Sequence, residues 1–277
     1  MATHGLRSVI LFSRPDSASM LIRQVLIENF NWQELYNEEE NQSVISDGTV
    51  IGITTDSHHV YMTEEEIKKL EADLIIVASS HRSEKGVKSL HAHSTGNWGQ
   101  EAKLGGKPNR LSYTMAGAIG AGFRKLFEAA SEEPKLENWL ISLEVTHHGP
   151  LSPTPLIFIE YGGPEDALLS HEAAIAVAQA CISAAKSSPS NKPTIGIGGN
   201  HYAPLFTKLT LDNQFDFGHI MPKYAMPTSR KMLLEAIEKV IEKPKMAIVD
   251  WKGIPGNYRS EIINELKNLE IEIIIEK

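Results

Sequence analysis

Short apolar runs alternate along the chain with longer segments of helical periodicity. The short runs are rich in β-branched residues and bounded by Gly, Pro, Asp or Ser, which is typical of strands. They predict strands over residues 8–13, 49–55, 73–80, 139–148, 155–161, 194–199, 245–251 and 271–276. The longer segments predict helices over residues 17–30, 64–71, 112–130, 165–187, 228–242 and 258–268.

The order of these elements favours an α/β fold with helices on both faces of a mixed, mostly parallel sheet. The strand 73–80 begins DLIIVA and has no polar alternate residue, as expected for a strand covered on both sides. No internal repeat and no low-complexity linker divides the 277 residues. The sequence therefore predicts a single domain over residues 1–277, in which the acidic segment 31–48 forms an exposed loop.

Charge restricts the class of protein further. The formal net charge is −8, which argues against a large nucleic-acid footprint, because phosphate contacts need lysine and arginine. Local basic clusters are usually solvated surface, although one beside a site is still compatible with this charge. Two clusters are candidates: Lys103, Lys107 and Arg110, and Lys223, Arg230 and Lys231.

The single cysteine and the N-terminal residues indicate the compartment. Cys181 lies in the apolar run AAIAVAQACISAA and is expected in the core. One cysteine excludes an intramolecular disulfide and fits a reducing compartment. The N-terminal residues lack a signal-peptide pattern, and no run approaches the ~20 apolar residues of a membrane span. We expect a soluble, cytoplasmic protein, and a monomer because no heptad helix is visible.

Reactive side chains gather where the predicted strands end, the edge at which open α/β sheets bind ligands. Strand 73–80 runs into His81, and strand 139–148 carries His147 and His148. Strand 155–161 contains Glu160, and strand 194–199 is followed by His201. These residues are expected to converge in one crevice.

Glu144 is the most informative of the candidates. Period-two alternation places it on the same face of strand 139–148 as Ser142, Thr146 and His148, whereas His147 follows the other face. A carboxylate, a hydroxyl and an imidazole are costly to bury on an apolar strand without partners. They need a polar site or a metal ion.

Histidine and glutamate together suit Zn²⁺, which in catalytic sites leaves one position for water. Water at zinc ionises near neutral pH and attacks an acyl carbon. The spacing alone does not identify a metal site, because HExxH and CxxC patterns are missing, and His81-x-x-Glu84 and His91-x-His93 are weak matches. A Ser–His hydrolase is the mechanistic alternative, with candidate nucleophiles Ser79, Ser80 and Ser83.

Other histidines have simpler interpretations. His58 and His59 follow a strand in a polar turn and are expected at the surface. His171 falls on a predicted helix and is expected at its surface. His219 either lines the site or is a half-buried structural residue.

A glycine-rich segment precedes His201. Gly196-x-Gly198-Gly199 would let the backbone approach a ligand closely. The segment does not complete a G-x-G-x-x-G fingerprint, and no helix is predicted directly after it. A nucleotide or metabolite sensor without catalysis is therefore an alternative to an enzyme.

Three histidine-rich segments, taken together, are more specific than any single residue. They are SSHRSEKGVKSLHAHSTGNWG (79–99), SLEVTHHGPLSPTPLIFIEYGG (142–163) and GIGGNHYAPLFTKL (196–209). In sequence and in order they resemble motifs of the archaeal and plant-type D-aminoacyl-tRNA deacylases. Glu84 and His91 fall at variable positions of that pattern, which weighs against the two short metal patterns. Val145 and Asn200 replace small residues.

The resemblance implies a three-layer α/β/α fold related to phosphorylases and peptidyl-tRNA hydrolases. It implies hydrolysis of the ester that joins a D-amino acid to the terminal ribose of tRNA. The implied partner is the 3′ end of aminoacylated tRNA, with no obligate protein partner, and the implied cofactor is zinc, up to two ions per chain. The alternative is a zinc carboxypeptidase- or amidohydrolase-like hydrolase of a small acyl substrate, which suits the acidic charge better.

On the matched positions we base a hypothesis about the roles of individual residues. The expected zinc ligands are His81, His147, His201 and Glu160. The expected catalytic residues are Glu144, His148 and Thr146. The first two would move a proton from the attacking water to the ribose oxygen, and the third would bind the aminoacyl end. The expected substrate contacts are Gly198, Gly199, Tyr202, His93 and Asn97.

Overall fold

The computed structural model describes residues 6–37, 42–82 and 86–277. His4, Ser83 and Glu84 lie outside these residues, so the His81-x-x-Glu84 pattern has no structural description. Among the described helices, none is both long and apolar enough to cross a membrane.

The strands of the described residues are mostly short and buried. In chain order they are β1 (Ser8–Ser13), β2 (Gln33–Asn37), β3 (Gln42–Ser46), β4 (Ile51–Thr55), β5 (Leu74–His81), β6 (Ser89–Ser94), β7 (Gly96–Asn97), β8 (Arg110–Leu111), β9 (Leu140–Leu143), β10 (Leu156–Gly162), β11 (Pro193–Ile197), β12 (Asp216–Met221), β13 (Met246–Asp250) and β14 (Glu272–Glu276). The helices are α1 (Ser17–Phe30), α2 (Glu64–Lys68), α3 (Ala116–Ser131), α4 (His171–Ala185), α5 (Pro204–Leu211), α6 (Arg230–Glu238) and α7 (Arg259–Asn268).

Eight strands form the larger sheet, in the order β2-β3-β4-β1-β5-β10-β6-β9. The four central strands β4, β1, β5 and β10 are parallel. β6 runs antiparallel to β10, and β9 runs parallel to β6. At the opposite edge β2 and β3 form an antiparallel ribbon. The sheet is therefore mixed but mostly parallel, as predicted.

A second sheet has the order β12-β11-β13-β14, and every neighbouring pair in it is parallel. The two sheets meet at the segment after β9, where the amides of Val145 and Thr146 donate to the carbonyls of His201 and Ile220. The predicted α/β class is confirmed, although the strands divide between two main sheets rather than forming one. That residues 1–277 are a single domain stays a prediction.

The two faces of the larger sheet are covered differently. Ile76 and Leu90 face a large apolar cluster that includes residues of α1, α3 and α4. Val77 and Phe158 point the other way, into a smaller apolar cluster with Ile67 of α2. Beyond Phe158, this second face becomes polar at the end of β5 and along β10 and β6. The polar side chains, which could not be packed into an apolar layer, therefore lie on one face of the larger sheet and at one corner of it.

Strands that carry polar residues or glycine were not predicted from the sequence. β6 has the sequence SLHAHS, which is rich in polar residue types that are usually exposed, yet every residue of this strand is buried. β12 contains a glycine and a histidine within DFGHIM. β2 and β3 lie within the segment 31–48 that was expected to be a loop. In all three cases sheet pairing outweighs the local residue preference.

The segment 139–148 is only in part a strand. β9 stops at Leu143, and the next amides pair with Ala92 and then with residues of the second sheet. The predicted alternation of faces holds as far as Val145, which lies with Leu143 in the large apolar cluster, and it is lost after that residue because the chain leaves the pleat of the sheet. A helix also follows the glycine-rich segment after all: α5 begins at Pro204, a residue whose fixed φ suits a first helical position.

Candidate active site

Six histidines and two glutamates meet on the polar face of the larger sheet, beside its junction with the second sheet. We call this group the histidine cluster: His81, His91, His93, His147, His148, His201, Glu144 and Glu160. The first three come from β5 and β6, and Glu160 comes from β10. The rest come from the segments that follow β9 and β11.

The register of β6 against β10 sets one wall of the cluster. His91 lies directly opposite Glu160, and His93 lies directly opposite Phe158. Because directly opposed residues point to the same face, the two imidazoles and the carboxylate share it. The ring of Phe158 stacks on His93 with centroids 5.3 Å apart and forms an apolar floor. The ligand-type side chains therefore stand on strands as well as beyond strand ends.

The carboxylate of Glu144 lies at the centre of the cluster and is fully buried. Three ring nitrogens lie near its Oε1: His201 Nε2 at 3.2 Å, His81 Nδ1 at 3.7 Å and His91 Nε2 at 3.8 Å. Two lie near its Oε2: His93 Nε2 and His147 Nε2, each at 3.8 Å. Five imidazoles therefore face one carboxylate.

Hydrogen bonds determine which nitrogen of two of these rings faces the cluster. Nδ1 of His93 donates to the backbone carbonyl of Ser94 at 3.0 Å. Nδ1 of His147 donates to the carbonyl of Val145 at 2.8 Å. Because a neutral ring with a proton on Nδ1 carries its lone pair on Nε2, both rings offer Nε2 to the cluster. An Nδ1 hydrogen bond of this kind is the usual support of a metal-ligating histidine.

Two more rings have the same arrangement. Nδ1 of His148 donates to the carbonyl of Gly149 at 2.5 Å. Nδ1 of His91 lies 3.0 Å from the hydroxyl of Ser142, its neighbour across the β6–β9 pair. In both rings Nε2 is again the atom left for a ligand.

Several buried atoms of the cluster have no hydrogen-bond partner within the described residues. They are Nε2 of His81, His91 and His93 and both carboxylate oxygens of Glu144. Each buried polar atom without a partner costs about 1–3 kcal/mol, and more if it is charged. A cation among them would satisfy all of these atoms at once, and imidazole nitrogen with carboxylate oxygen is a donor set of zinc.

The ligand atoms are close enough to hold a metal ion in four combinations, with the atoms of each within 4.8 Å of one another. The combinations are His93–His147–His148, His81–His91–Glu144, Glu144–His147–His201 and His93–Glu144–Glu160. The first two share no residue. The cluster therefore has donors for one ion and, without sharing a residue, for two.

Electrostatics favours ionised carboxylates, lowers the pKa of three rings (His91, His147 and His148) and raises that of two (His81 and His93). Burial would raise the pKa of Glu144, but the surrounding imidazoles hold this pKa well below its usual range. Burial lowers the pKa of His91 and that of His148 to about 4. Burial alone would also lower the pKa of His81, but the carboxylate of Glu160, which accepts its Nδ1 proton at 3.0 Å, raises it to about 9. Neutral imidazoles and ionised carboxylates are the forms that bind metals.

Comparison with known proteins identifies the family. The family model described as D-aminoacyl-tRNA deacylase matches residues 68–274, which contain every residue of the histidine cluster. The chain belongs to the D-aminoacyl-tRNA deacylase family. A relative of that name from Pyrococcus furiosus is 34% identical over 267 residues, which cover 93% of this chain and 97% of the relative. One from Picrophilus torridus is 32% identical over 267 residues, covering 96% and 98%. The resemblance carried by the three segments is thus confirmed.

A solved structure supports the fold of this deacylase-family chain. The crystal structure of a conserved protein of unknown function aligns with a TM-score of 0.87 and 27% sequence identity. The alignment covers 98% of this chain and 95% of the other. Both sheets therefore belong to one architecture that the aligned protein shares.

The structure brings together the residues that the sequence assigned to zinc and to proton transfer. Glu144, His81 and His201 lie in mutual contact, although they come from segments far apart in the chain. The alternation of strand faces would place His147 opposite Glu144, yet its Nε2 lies 3.8 Å from the carboxylate because the strand has already ended. Which of these side chains bind a metal ion stays a prediction.

Thr146 takes part in a separate buried network. Its hydroxyl lies 2.8 Å from that of Ser94 and 3.1 Å from Nδ1 of His219, and it accepts the amide of Ile220 at 3.0 Å. His219 is fully buried, and its Nε2 donates to the carbonyl of Ser112 at 3.1 Å. This network joins β6 to β12 behind the cluster. The catalytic role assigned to Thr146 stays a prediction.

The two glycines that were predicted to contact substrate already donate their amides to hydrogen bonds within the protein. Gly198 and Gly199 have φ of 105° and 86°, a region that favours glycine. The amide of Gly198 donates to the carbonyl of Met221 at 2.8 Å, and that of Gly199 donates to Gly253 at 3.1 Å. A direct hydrogen bond from either amide to a substrate would require one of these bonds to break.

The other predicted substrate contacts border the cluster. The ring of Tyr202 stacks on that of His91, with centroids 5.3 Å apart. The side-chain amide of Asn97 donates to a backbone carbonyl of the neighbouring loop at 3.0 Å. His93, which was placed among the substrate contacts, has its Nε2 inside the cluster. Substrate contacts by these residues stay predictions.

Two histidines lie in surroundings that were not predicted from the sequence. The family pattern weighed against His91, yet it is fully buried beside Glu144; the alternating His91-x-His93 spacing on a strand was the signal. His59 was expected at the surface but is buried, with its ring edge-on to Phe158 at 6.1 Å. Its neighbour His58 is exposed, as predicted.

Proposed function

We propose that this protein hydrolyses the ester that joins a D-amino acid to the 3′-terminal ribose of tRNA and releases the free D-amino acid and tRNA. The supporting observation is a buried carboxylate faced by five imidazoles inside the region that matches the D-aminoacyl-tRNA deacylase family. Aminoacyl-tRNA is a cytoplasmic substrate, so we also propose a cytoplasmic enzyme. We propose that it acts as a monomer, because the whole cluster comes from one chain.

We infer that the cluster holds zinc at two positions. The first would use His93, His147 and His148, and the second would use His81, His91 and Glu144. Zinc in such a site polarises an acyl oxygen and makes water a nucleophile near neutral pH. The hydrogen bond from His81 Nδ1 to Glu160 orients His81 for the second position, so Glu160 supports a ligand and need not be one.

The chain's own residues supply the proton transfer in this proposal. One oxygen of Glu144 completes the second position, and the other accepts the proton of the attacking water. His201 is the most exposed ring in contact with Glu144, at 34% of its side-chain surface, and its Nε2 lies 3.2 Å from the carboxylate. It is placed to pass the proton to the leaving ribose oxygen. His148, to which the sequence assigned this step, belongs instead to the first zinc position.

Binding of the aminoacyl end is assigned to the rim of the cluster. Tyr202 is half-buried beside His91 and offers a ring face and a hydroxyl. Asn97 lies on β7, directly after the residues that pair with the His147 segment. A wall on only one side of the α-carbon would accept the side chain of a D-amino acid and reject that of its mirror image.

The decisive experiment compares D-tyrosyl-tRNA with L-tyrosyl-tRNA. The zinc-loaded protein should release D-tyrosine, with a preference of roughly 100-fold or more over the L-form. A chelator should abolish release, and added zinc should restore it. A D-tyrosine methyl ester tests the alternative of a small-molecule hydrolase. Equal rates on the two charged tRNAs, or faster hydrolysis of the small ester, would contradict the proposal.

A further inference from the structure

A groove of about 590 Å³ opens beside the histidine cluster. One wall consists of residues 98–100 and Asn109, and the other consists of residues 224–229 with Lys231 and Met232. We call it the side groove. Its volume is that of pockets that hold a molecule the size of a nucleotide.

Both walls of the side groove are attached to the site. On one side, the amide of Gly96, two residues before Trp98, donates to the carbonyl of His148 at 2.8 Å. On the other side, the hydroxyl of Tyr224 lies 3.2 Å from Nδ1 of His201. His201 in turn lies 3.2 Å from Glu144. A molecule whose reacting end lies at Glu144 would therefore extend past Tyr224 into the groove.

The lining of the side groove combines aromatic rings with polar groups. Tyr224 is 60% exposed and offers a ring face, on which a nucleobase can stack. Trp98 is only 6% exposed, and its Nε1 has no hydrogen-bond acceptor within the described chain. Gln100 and Asn109 add amide groups that can bond with the edge of a base. This mixture suits a base and a ribose better than an apolar peptide.

One end of the side groove suits a phosphate. Ser229 caps α6, and its hydroxyl accepts the amide of Met232 at 3.3 Å. The first amides of a helix lack acceptors within the helix and attract anions together with the helix dipole. Lys231 lines the groove within the first turn of α6 and is exposed. A lysine and a helix start therefore lie at the same end of the groove.

The two basic clusters near the groove differ in whether their charges are neutralised by ion pairs. Of the two basic clusters in the sequence, the first is neutralised: Lys103, Lys107 and Arg110 pair with Glu101, Glu64 and Glu235. Lys223 and Lys231 of the second make no ion pair with a carboxylate of the described residues, and both are exposed. The chain has a net charge of −8, yet these two lysines place positive charge beside the site.

We propose that the side groove binds the 3′-terminal adenosine of tRNA and the phosphate before it, with the base against Tyr224 and the phosphate at Lys231 and the start of α6. The proposal rests on the proposed function and assigns the tRNA-facing surface of the same site. It also explains how an acidic protein binds tRNA: it needs a short positive strip beside the ester rather than a broad basic face.

Charge reversal at the groove tests this surface. Lys231→Glu and Lys223→Glu are compared with Lys69→Glu, an exposed lysine after α2. Each groove variant should weaken binding of uncharged tRNA about tenfold in fluorescence anisotropy and lower the slope of log Kd against log salt by about 1. Lys69→Glu should bind like the wild type. Thermal unfolding and zinc content should be unchanged in all three variants.

Turnover provides the second measurement. With D-tyrosyl-tRNA, Lys231→Glu should raise KM and leave kcat within about twofold, because the lysine contacts a part of the substrate that does not react. If Lys231→Glu and Lys223→Glu behave like Lys69→Glu, or if the wild type does not bind uncharged tRNA, the groove is not the tRNA surface. Failure of the wild type to hydrolyse the charged tRNA while it still binds uncharged tRNA would contradict the proposed function alone.

Discussion

A fully buried carboxylate without a well-directed hydrogen bond is costly, and Glu144 is tolerated because imidazoles surround it. Each ring contributes a polarisable nitrogen, yet none donates a hydrogen bond of good geometry to the carboxylate. The arrangement is therefore better suited to a cation shared among the side chains than to a protein held together by those side chains alone. We therefore expect the role of Glu144 to be chemical rather than structural.

Replacing Glu144 by glutamine tests its role in proton transfer. The amide keeps the shape but loses the charge and the basic oxygen, so kcat should fall by at least about 100-fold. Glu128→Gln, at an exposed position of α3, is the control and should keep wild-type activity. Single-turnover rates and zinc content are measured together. Activity within tenfold of the wild type would remove Glu144 from the mechanism.

Ser142 allows a test of His91 that leaves the ring in place. Its hydroxyl lies 3.0 Å from Nδ1 of His91 and its backbone carbonyl lies 3.3 Å from the same nitrogen, so Ser142→Ala removes the nearer of the two groups that orient the ring. Loss of such a partner typically weakens metal affinity 10- to 100-fold. Ser89→Ala, at the start of β6, is the control, because the hydroxyl of Ser89 lies 3.4 Å from a carbonyl of its own segment. Equal zinc affinities of the two variants would show that the hydroxyl of Ser142 does not support His91 as a ligand.

At the scale of single residues, the sequence predicted which side chains belong to the site better than it predicted what surrounds them. His81, His147 and His201 were found because each follows an apolar run, and Cys181 was correctly expected to be buried. His91 was given little weight because the His91-x-His93 pattern is short and falls at a variable position of the family motif. Its burial depends on Glu160 in a strand about 70 residues away, and one sequence does not reveal that pairing.

At the scale of elements, the segment after β9 is the one on which the site depends. It leaves the larger sheet at Glu144, bonds to the second sheet through Val145 and Thr146, and delivers His147 and His148 to the cluster. Gly149 then packs closely against two other loops, and an added Cβ would lie 2.3 Å from the amide of Gly106 and 2.4 Å from a backbone oxygen of Val60. Three loops are thus locked together beside the imidazoles.

Gly149→Ala tests this packing. The methyl group would force backbone to move, which should lower the free energy of unfolding by roughly 2–3 kcal/mol. It should also reduce kcat, because His148 is the preceding residue. Gly256→Ala is the control, since nothing lies within 4 Å of its added Cβ. Urea unfolding compares the two. Identical midpoints would show that the three loops adjust without cost.

The elements that could be predicted were those whose own residues decide their structure. β1, β5 and β10 are continuous apolar runs, and α1 matches its expected bounds of 17–30. β12 and α5 could not be predicted in this way, because their short sequences become ordered only by pairing with β11 and by packing on β9 and α3. Long-range pairing, which local pattern does not encode, decided these cases.

For the whole molecule, a buried neutral histidine links folding to pH. Burial lowers the pKa of His219 from 6.5 to about 3. As the pH falls below 6.5, the unfolded chain takes up a proton at this residue and the folded chain does not. Stability is therefore fully present above 6.5 and is lost progressively down to about pH 3, by up to about 1.4 kcal/mol per pH unit.

His219→Gln should make the dependence of stability on pH shallower. The amide keeps a donor and an acceptor but cannot titrate, so the free energy of unfolding should change less between pH 6 and pH 4 than in the wild type. Urea unfolding is measured on metal-free protein, because zinc release also depends on pH. The variant should be less stable at pH 7, where it loses part of the network with Ser94 and Thr146. Parallel pH curves for both proteins would contradict this assignment.

His91 of β6 lies directly opposite Glu160 of β10. This register has a consequence for how the chain folds. A slip of β6 by one residue would turn every one of its side chains to the opposite face of the sheet. His91 and His93 would then enter the layer of α3 and α4, and Leu90 and Ala92 would take their place. If the cluster holds zinc as proposed, uptake of the ion during refolding would report correct alignment of these two strands, and a misaligned chain would not take it up.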